Sequence, residues 1–333
     1  MTVGELGEHA LLARILTRLP RPSSTVLVGP GDDAAVLAAV RNERSVVTTD
    51  AVVEGVHFSR AFSSPSDIGH KALAVNLSDL AAMGATPRWA LLSLLLPGSV
   101  LVRDVEDLVD GVSVLAQQHA VSVVGGNITR TGGPMIVDVT AGGDVRPRRW
   151  LTRGGAKAGH EIWLSGSIGA AAAGLEMLDA SDTRVPDAVC VRRHVRPDPR
   201  VRLGAIVARS QAASAMMDLS DGLADALRQM SAASGVGVRV DASALPIEPG
   251  ARDWWASRGV DAVIAAIAGG DDYELLIAAP AKRVGAMRAV TRQVADPPLT
   301  KIGVFTKNAG ELVFVRDGND ERIPEGFAHF AHR

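Results

Sequence analysis

The stretch VLVGPGDDAAVL, Val26–Leu37, decides how the rest of the chain is read. Asp32 and Asp33 stand side by side in an otherwise apolar segment, with glycines before them and alanines after. Two adjacent carboxylates repel each other and are costly to bury without partners. Their presence asks for a cation. The same local phrase recurs down the chain. An apolar, often β-branched run ends in a small or acidic cluster: SVVTTD ends at Asp50, AVSVV leads to GGN at Asn127, AMMDLSDG ends another, and AAIAGGDDYELLIAA sets Asp271 and Asp272 between two apolar runs. Apolar runs bounded by Gly and Asp read as buried strands with turns.

Between these runs lie helical patterns, DIGHKALAVNLSDLAAMG and LVRDVEDLVDGVSVLAQQH, with apolar residues at helical spacing. Strands mixed with helices predict an α/β or α+β architecture. A length of 333 residues exceeds what one core usually serves, so two domains are expected. The Arg-, Gly- and Pro-rich stretch GDVRPRRWLTRGGAKAGHE puts the boundary near residues 143–160, giving domains of 1–145 and 146–333. After it, IWLSGSIGAAAAGLEML restarts with a strand, a glycine turn and a helix, and a late strand pair, TKIGVFT and ELVFVRDG, closes the second half. NLSDLAAMGA and DLSDGLADAL form a faint internal echo.

The chain is 47% hydrophobic and 22% charged, with a formal net charge of −2, an ordinary globular balance that suggests neither a nucleic-acid partner nor a membrane surface. One cysteine, Cys190, excludes an intramolecular disulfide and suits a reducing cytoplasm. The N-terminal MTVGELGEHALLARIL is acidic where a signal peptide is basic, and reads as an amphipathic helix. The apolar run WALLSLLLPGSVLV is interrupted by Pro97 and too short to span a bilayer.

Acidic residues at strand ends mark ligand positions in α/β sheets. Oxygen donors without cysteine and with few histidines select a hard cation, and scattered Asp residues with hydroxyls at Thr48, Thr49 and Ser220 suit Mg²⁺. Magnesium usually bridges carboxylates to substrate phosphates, so a phosphate-bearing ligand is expected. The dipeptide Gly-Lys is absent, which excludes a P-loop. GPGDDA imitates a dinucleotide-binding turn, but its two Asp residues would repel a pyrophosphate, and RNERSVVTTD follows too soon for a crossover helix. Taken singly, Asp33, Asp79 or Asp221 reads as a helix N-cap. His57 and Trp254-Trp255 read as structural, Cys190 as a bystander, and RRHVRPDPR as a solvated helix end. Taken together, the acidic clusters after apolar runs exceed what caps explain.

In order along the chain, GPGDDAAV, TTDAVVEGVHF, KALAVNLSDLAAMGA, LTRGGAKAGHEIWLSGSIGAAAAGL, MDLSDGLADAL and GGDDYELL resemble the thiamine-monophosphate kinase family of the AIR-synthetase-like (PurM-like) superfamily. The resemblance runs from GELGEHALLARI to EGFAHF. TTDAVVEGVHF with NLSDLAAMGA is specific to this kinase, whereas GDDAAV is shared across the superfamily. It implies a PurM-like two-domain fold: an N-terminal α/β domain forming a dimeric β-barrel in a homodimer, and a C-terminal α+β domain, with ATP in the cleft between them. The implied reaction is transfer of the ATP γ-phosphoryl group to thiamine monophosphate with several Mg²⁺ ions. Asp32, Asp33, Thr48, Thr49, Asp50, Asp79, Asn127, Asp218 and Asp221 resemble metal ligands, with Asp50, Asp79 and Arg153 catalytic. Gly125, Gly126, Arg153 and Ser220 resemble nucleotide contacts, and His57, Asp271 and Phe327 the thiamine-phosphate side.

The chain departs from the family pattern at three of these positions. Asn127 stands where the family usually has a metal-binding Asp, Asp271 where it has Glu, and Phe327 where Trp or Tyr is frequent. The first substitution removes a charge, the second shortens a contact, and the third keeps a stacking face without a polar tip. Two alternatives follow: a non-catalytic sensor of ATP or thiamine phosphate, or another PurM-like ATP-dependent enzyme.

Overall fold

In the computed structural model, which describes residues 1–30, 34–180 and 187–326, the chain divides into two units. One is Met1–Leu80 with Ala85–Pro147, the other Ala81–Gly84 with Arg148–Arg333. No helix among the described residues is long and apolar enough to cross a membrane.

The first unit opens with α1 (Val3–Leu6) and α2 (Glu8–Arg18). Thr2 and Glu5 form a reciprocal cap on α1. Gly7 adopts φ 83°, a left-handed value that residues with a Cβ avoid, so the amphipathic stretch expected as one helix is two. The strands β1 (Val26–Val28) and β2 (Val36–Leu37) pair antiparallel on either side of the opening motif. There follow β3 (Arg44–Val53), α3 (Pro65–Ala82), β4 (Thr86–Pro97), α4 (Val102–Gln118), β5 (Ser122–Thr131) and β6 (Ile136–Val145). They build a four-stranded sheet in the order β3-β6-β4-β5. The β4 and β5 strands are parallel and joined through α4, while β6 runs antiparallel to both β3 and β4.

The second unit contains β7 (Glu161–Ser165), α5 (Ala170–Asp179), α6 (Ala188–Val195), α7 (Val201–Ser210), β8 (Ala215–Asp218), α8 (Leu223–Ser234), β9 (Gly237–Asp241), α9 (Pro249–Ala256), α10 (Ala262–Ala268), β10 (Leu275–Ala279), α11 (Val284–Val294), β11 (Leu299–Thr306), β12 (Leu312–Arg316) and β13 (Asn319–Arg322). Its seven strands lie in the order β13-β12-β9-β11-β7-β10-β8; among the described residues β9 and β12 pair in parallel and the other neighbours antiparallel. Its core includes Ile162, Leu164, Leu227, Met230, Leu276, Phe305 and Trp255, all essentially inaccessible to water. Burial of each such side chain is worth roughly 1.5–3 kcal/mol.

The α/β plus α+β, two-domain expectation holds, but the barrel does not. Among the described residues no sheet closes: β3 bonds to β6 alone and β5 to β4 alone, so the four-stranded sheet keeps two open edges. A barrel needs its first and last strands bonded to each other, and small barrels use about eight strands. Two further expectations change. TKIGVFT and ELVFVRDG become β11 and β12, but β9 lies between them, bonded to both. The apolar run before Gly269-Gly270 is the helix α10, capped by Asp261, and not a strand. Periodicity cannot separate a short buried helix from a buried strand. The internal echo is not structural, since NLSDLAAMGA begins inside α3 and DLSDGLADAL begins at the end of β8.

Helix α3 is buried around Ala72, Leu73, Leu77 and Leu80 and crosses α4 at very short range. A Cβ on Gly69 would sit 1.9 Å from the Leu108 carbonyl oxygen, and one on Gly111 would sit 2.0 Å from that of Ser66. Helix propensity alone predicts that Gly69→Ala gains about 1 kcal/mol. The close backbone predicts the opposite sign, a loss of about 1–3 kcal/mol. Urea denaturation of Gly69→Ala beside Gly132→Ala, whose added methyl meets nothing within 4 Å, decides between them.

Candidate active site

The expected site residues fall into a group in each unit. In the first, strand alternation turns Thr48 and Asp50 to one face of β3 and Thr49 to the other. Thr48 Oγ1 donates a hydrogen bond to Asp79 Oδ2. Asn76, three residues before Asp79 on α3, donates from Nδ2 to the Asp50 carbonyl at 3.3 Å. The Asn76 Oδ1 atom is buried and finds no hydrogen-bond partner among the described residues. The Thr49 hydroxyl instead turns to β6, donating to the Val139 carbonyl at 3.2 Å. Asp79 is no N-cap. It lies in the last turn of α3, where the helix dipole disfavours a carboxylate, so its placement is not explained by helix stability.

Gly125, Gly126 and Asn127 lie on β5, opposite Leu91, Leu92 and Ser93 of β4. A Cβ on Gly126 would meet the Leu92 carbonyl oxygen at 1.8 Å, so only glycine fits the register there. His57 follows β3 in a turn, its Nδ1 accepting from the Val53 amide at 3.1 Å and its carbonyl accepting from Lys71 Nζ at 2.9 Å.

In the second unit, Asp218 is the buried last residue of β8, and Ser220 and Asp221 follow before α8. The N-cap of α8 is Gly222 and receives no side-chain bond, so Asp221 is no cap either. The loop runs backbone to backbone along Gly270–Glu274. Asp271 N donates to Ser220 O at 2.7 Å, Tyr273 N to Leu219 O at 3.0 Å, and Leu219 N to Glu274 O at 2.9 Å. These bonds bring Ser220, Asp221 and Asp271 together. Arg153 is exposed and donates to Gln229 of α8. Asp32, Asp33 and Phe327 lie outside the described residues. Among the described residues, no three His, Cys, Asp or Glu side chains gather as a metal cage.

Around the expected Asp271 the structure gathers residues to which the sequence reading gave no role. Asp271 and Tyr273 are both left-handed, at φ 64° and 49°, an uncommon and strained pair of non-glycine positions. What holds them is buried charge. Glu274 is completely inaccessible and accepts from Arg200 Nε at 2.7 Å, from Arg200 Nη2 and from Ser165 Oγ at 2.6 Å, with Arg193 Nη1 at 3.3 Å. His194 Nδ1 lies 3.7 Å from Asp271 Oδ2, and the Tyr273 hydroxyl donates to Asp271 Oδ1 at 3.1 Å. The RRHVRPDPR segment is therefore no solvated helix end. Arg193, His194 and Arg200 face the acidic GDDYE loop, and an unusually dense run of cations next to prolines was the only sequence sign of it. Cys190 is buried, and burial pushes its thiol up to about 12, in keeping with an inert side chain. Trp255 is core.

Asp272 accepts from the Gly169 amide at 3.1 and 2.9 Å, at the start of α5. Burial outweighs that bond and raises its carboxyl from 3.8 to about 8, with the Glu274 charge adding to the rise. An acid with a raised folded-state pKa contributes stability that is full below its unfolded value and is lost as pH rises through the folded one. Wild-type protein should therefore lose stability relative to Asp272→Asn between about pH 4 and pH 8. Urea titrations of both proteins at pH 5 and pH 8 measure this, and a constant gap would refute it.

Two family models cover most of the chain: AIR synthase related protein, N-terminal domain, over residues 31–145, and AIR synthase related protein, C-terminal domain, over residues 157–316. Thiamine-monophosphate kinase of Escherichia coli K12 is 37% identical over 333 residues, spanning 98% of each chain. The crystal structure of thiamine-monophosphate kinase from Stenotrophomonas maltophilia superposes with a TM-score of 0.79 at 39% identity, over 94% of this chain and 96% of that one. AaThiL complexed with AMPPCP and TMP superposes with a TM-score of 0.76 at 31% identity, over 99% of both chains. With the likeness running end to end at 37–39% identity, the chain belongs to the thiamine-monophosphate kinase family of AIR-synthase-related proteins.

Proposed function

We propose that this protein transfers the γ-phosphoryl group of ATP to the phosphate of thiamine monophosphate, giving thiamine diphosphate and ADP. The observation that carries the reading is Asp79, placed in the last turn of α3 against the helix dipole and held by Thr48 beside Asp50. The full-length likeness to kinases of this name supports the same substrate pair.

Donor and acceptor are both anionic, so their approach is the physical difficulty. The donor set suits a hard divalent cation: Asp50, Asp79 and the Thr48 hydroxyl offer oxygen only. These residues would hold magnesium, with Thr49, Asn127, Asp218, Asp221, Asp32 and Asp33 as further candidates. Magnesium, when bound, neutralises charge on the phosphates. Gly125 and Gly126 leave β5 free of side chains for close approach of the nucleotide, and Arg153 and Ser220 offer donors to its phosphates. His57, Asp271 and Phe327 take the thiamine phosphate. Asp271 is fixed by the strained loop, so the acceptor meets a rigid contact. The acceptor phosphate is already ionised near neutral pH, so no residue need act as general base. Transfer is direct and in line, without a phosphoenzyme. The protein works in the cytoplasm as a homodimer.

Incubation with thiamine monophosphate and MgATP should yield thiamine diphosphate and ADP in equal amounts by chromatography. ATP binding without product would instead make the protein a sensor. Asp79→Asn should lower kcat by about 100-fold or more while leaving the thermal midpoint near wild type, the pattern expected when lost charge neutralisation, not lost packing, is the cause. Full turnover of that variant at saturating Mg²⁺ would refute the assignment.

A further inference from the structure

The second unit carries a cavity that the kinase reading does not use. It has a volume of about 300 Å³ and is lined by Arg148, Arg149, Trp150, Ser214, Lys282 and Arg283 among others. Its lining contains four cationic side chains and no carboxylate. Ser214 immediately precedes β8, while Asp218 ends that strand, so cavity and carboxylates lie at opposite ends of it, roughly 13 Å apart along the backbone.

The cations there lack the partners that surface arginines and lysines commonly find. Among the described residues none of Arg148, Arg149, Lys282 and Arg283 forms an ion pair, although Arg283 donates to the Gln211 carbonyl at 2.9 Å. Arg149 Nη1 is shielded from solvent and has no hydrogen-bond partner among the described residues. An unpaired guanidinium nitrogen out of water costs free energy that a ligand oxygen would recover. Arg148 is held in the left-handed region at φ 62°, a strained setting that clusters at ligand sites. Lys282 and Arg283 directly precede α11, whose positive end reinforces their charge. His160, hydrogen-bonded through Nδ1 to Ser214 at 2.9 Å, has its basicity lowered first by burial and then by Lys157 and Lys282, which agrees with a positive field.

We propose that this cavity binds a phosphate-bearing small anion. Arg148, Arg149 and Lys282 contact its phosphate oxygens, since forked guanidinium donors match that geometry. The ring of Trp150, 44% exposed, offers an aromatic face beside the cations, so the anion is either a free polyphosphate or the phosphate end of a nucleotide.

Calorimetric titration of the full-length protein with pyrophosphate, at low ionic strength and with EDTA present to remove divalent-dependent binding, tests this. The expected result is one site, weakened about tenfold or more in the double variant Arg149→Ala/Lys282→Ala and weakened by added salt. The double variant should keep its thermal midpoint and its magnesium-dependent turnover, which separates this site from the catalytic one. Titration with ADP under the same conditions names the source: tighter binding than pyrophosphate, lost in the same variant, indicates a nucleotide, and equal or weaker binding a free polyphosphate. Absence of pyrophosphate binding to the wild type, or unchanged affinity in the double variant, overturns the proposal.

Discussion

The second unit is organised around one carboxylate that cannot stand alone. Glu274 is fully buried, and an ionised side chain there is tolerable only because Arg200 grips it with two guanidinium donors while Ser165 and Arg193 complete its shell. Removing one partner of such a pair typically costs about 3–5 kcal/mol, because the remaining charge stays buried. The partners come from β7, from α6 and from the segment leading into α7. One interaction thus ties a strand of the central sheet to two helical segments, and it anchors the loop that carries Asp271.

That anchoring explains how a strained loop persists. Left-handed Asp271 and Tyr273 flank Asp272, whose carboxyl sits on the Gly169 amide at the start of α5. Strain of this kind, of order 1–3 kcal/mol per residue, survives where the surroundings over-determine it. The result is a fixed carboxylate in contact range of His194 and Tyr273, beside Ser220 and Asp221.

Charge is segregated along the short strand β8. At its end lie Asp218 and, just beyond, Asp221. Before its start lies a cavity whose charged lining is wholly cationic. A carboxylate group needs a metal to meet phosphate, whereas a guanidinium group meets it directly. With a metal on Asp218 and Asp221, as proposed, the two ends would suit the same class of ligand through opposite means, the cationic end without a metal.

What the sequence by itself determined was local. Apolar runs ending in Gly and Asp marked β3, β5 and β8, and apolar residues at helical spacing marked α3, buried nearly all round, and α4, buried along one face. Motif order marked the family and nominated Asp50, Asp79, Asp218 and Asp221. The tertiary structure decided what spacing cannot encode. It showed that Asp79 and Asp221 are not caps, turned Thr49 away from Asp79, made the run before Gly269 a helix, and left the sheets open. It also drew Arg193, His194 and Arg200 out of an apparently solvated charge run and into the Glu274 and Asp271 cluster. Such pairings join residues more than 70 positions apart. They arise because a buried charge must find its counterion wherever the fold brings one, and no local pattern records where that is.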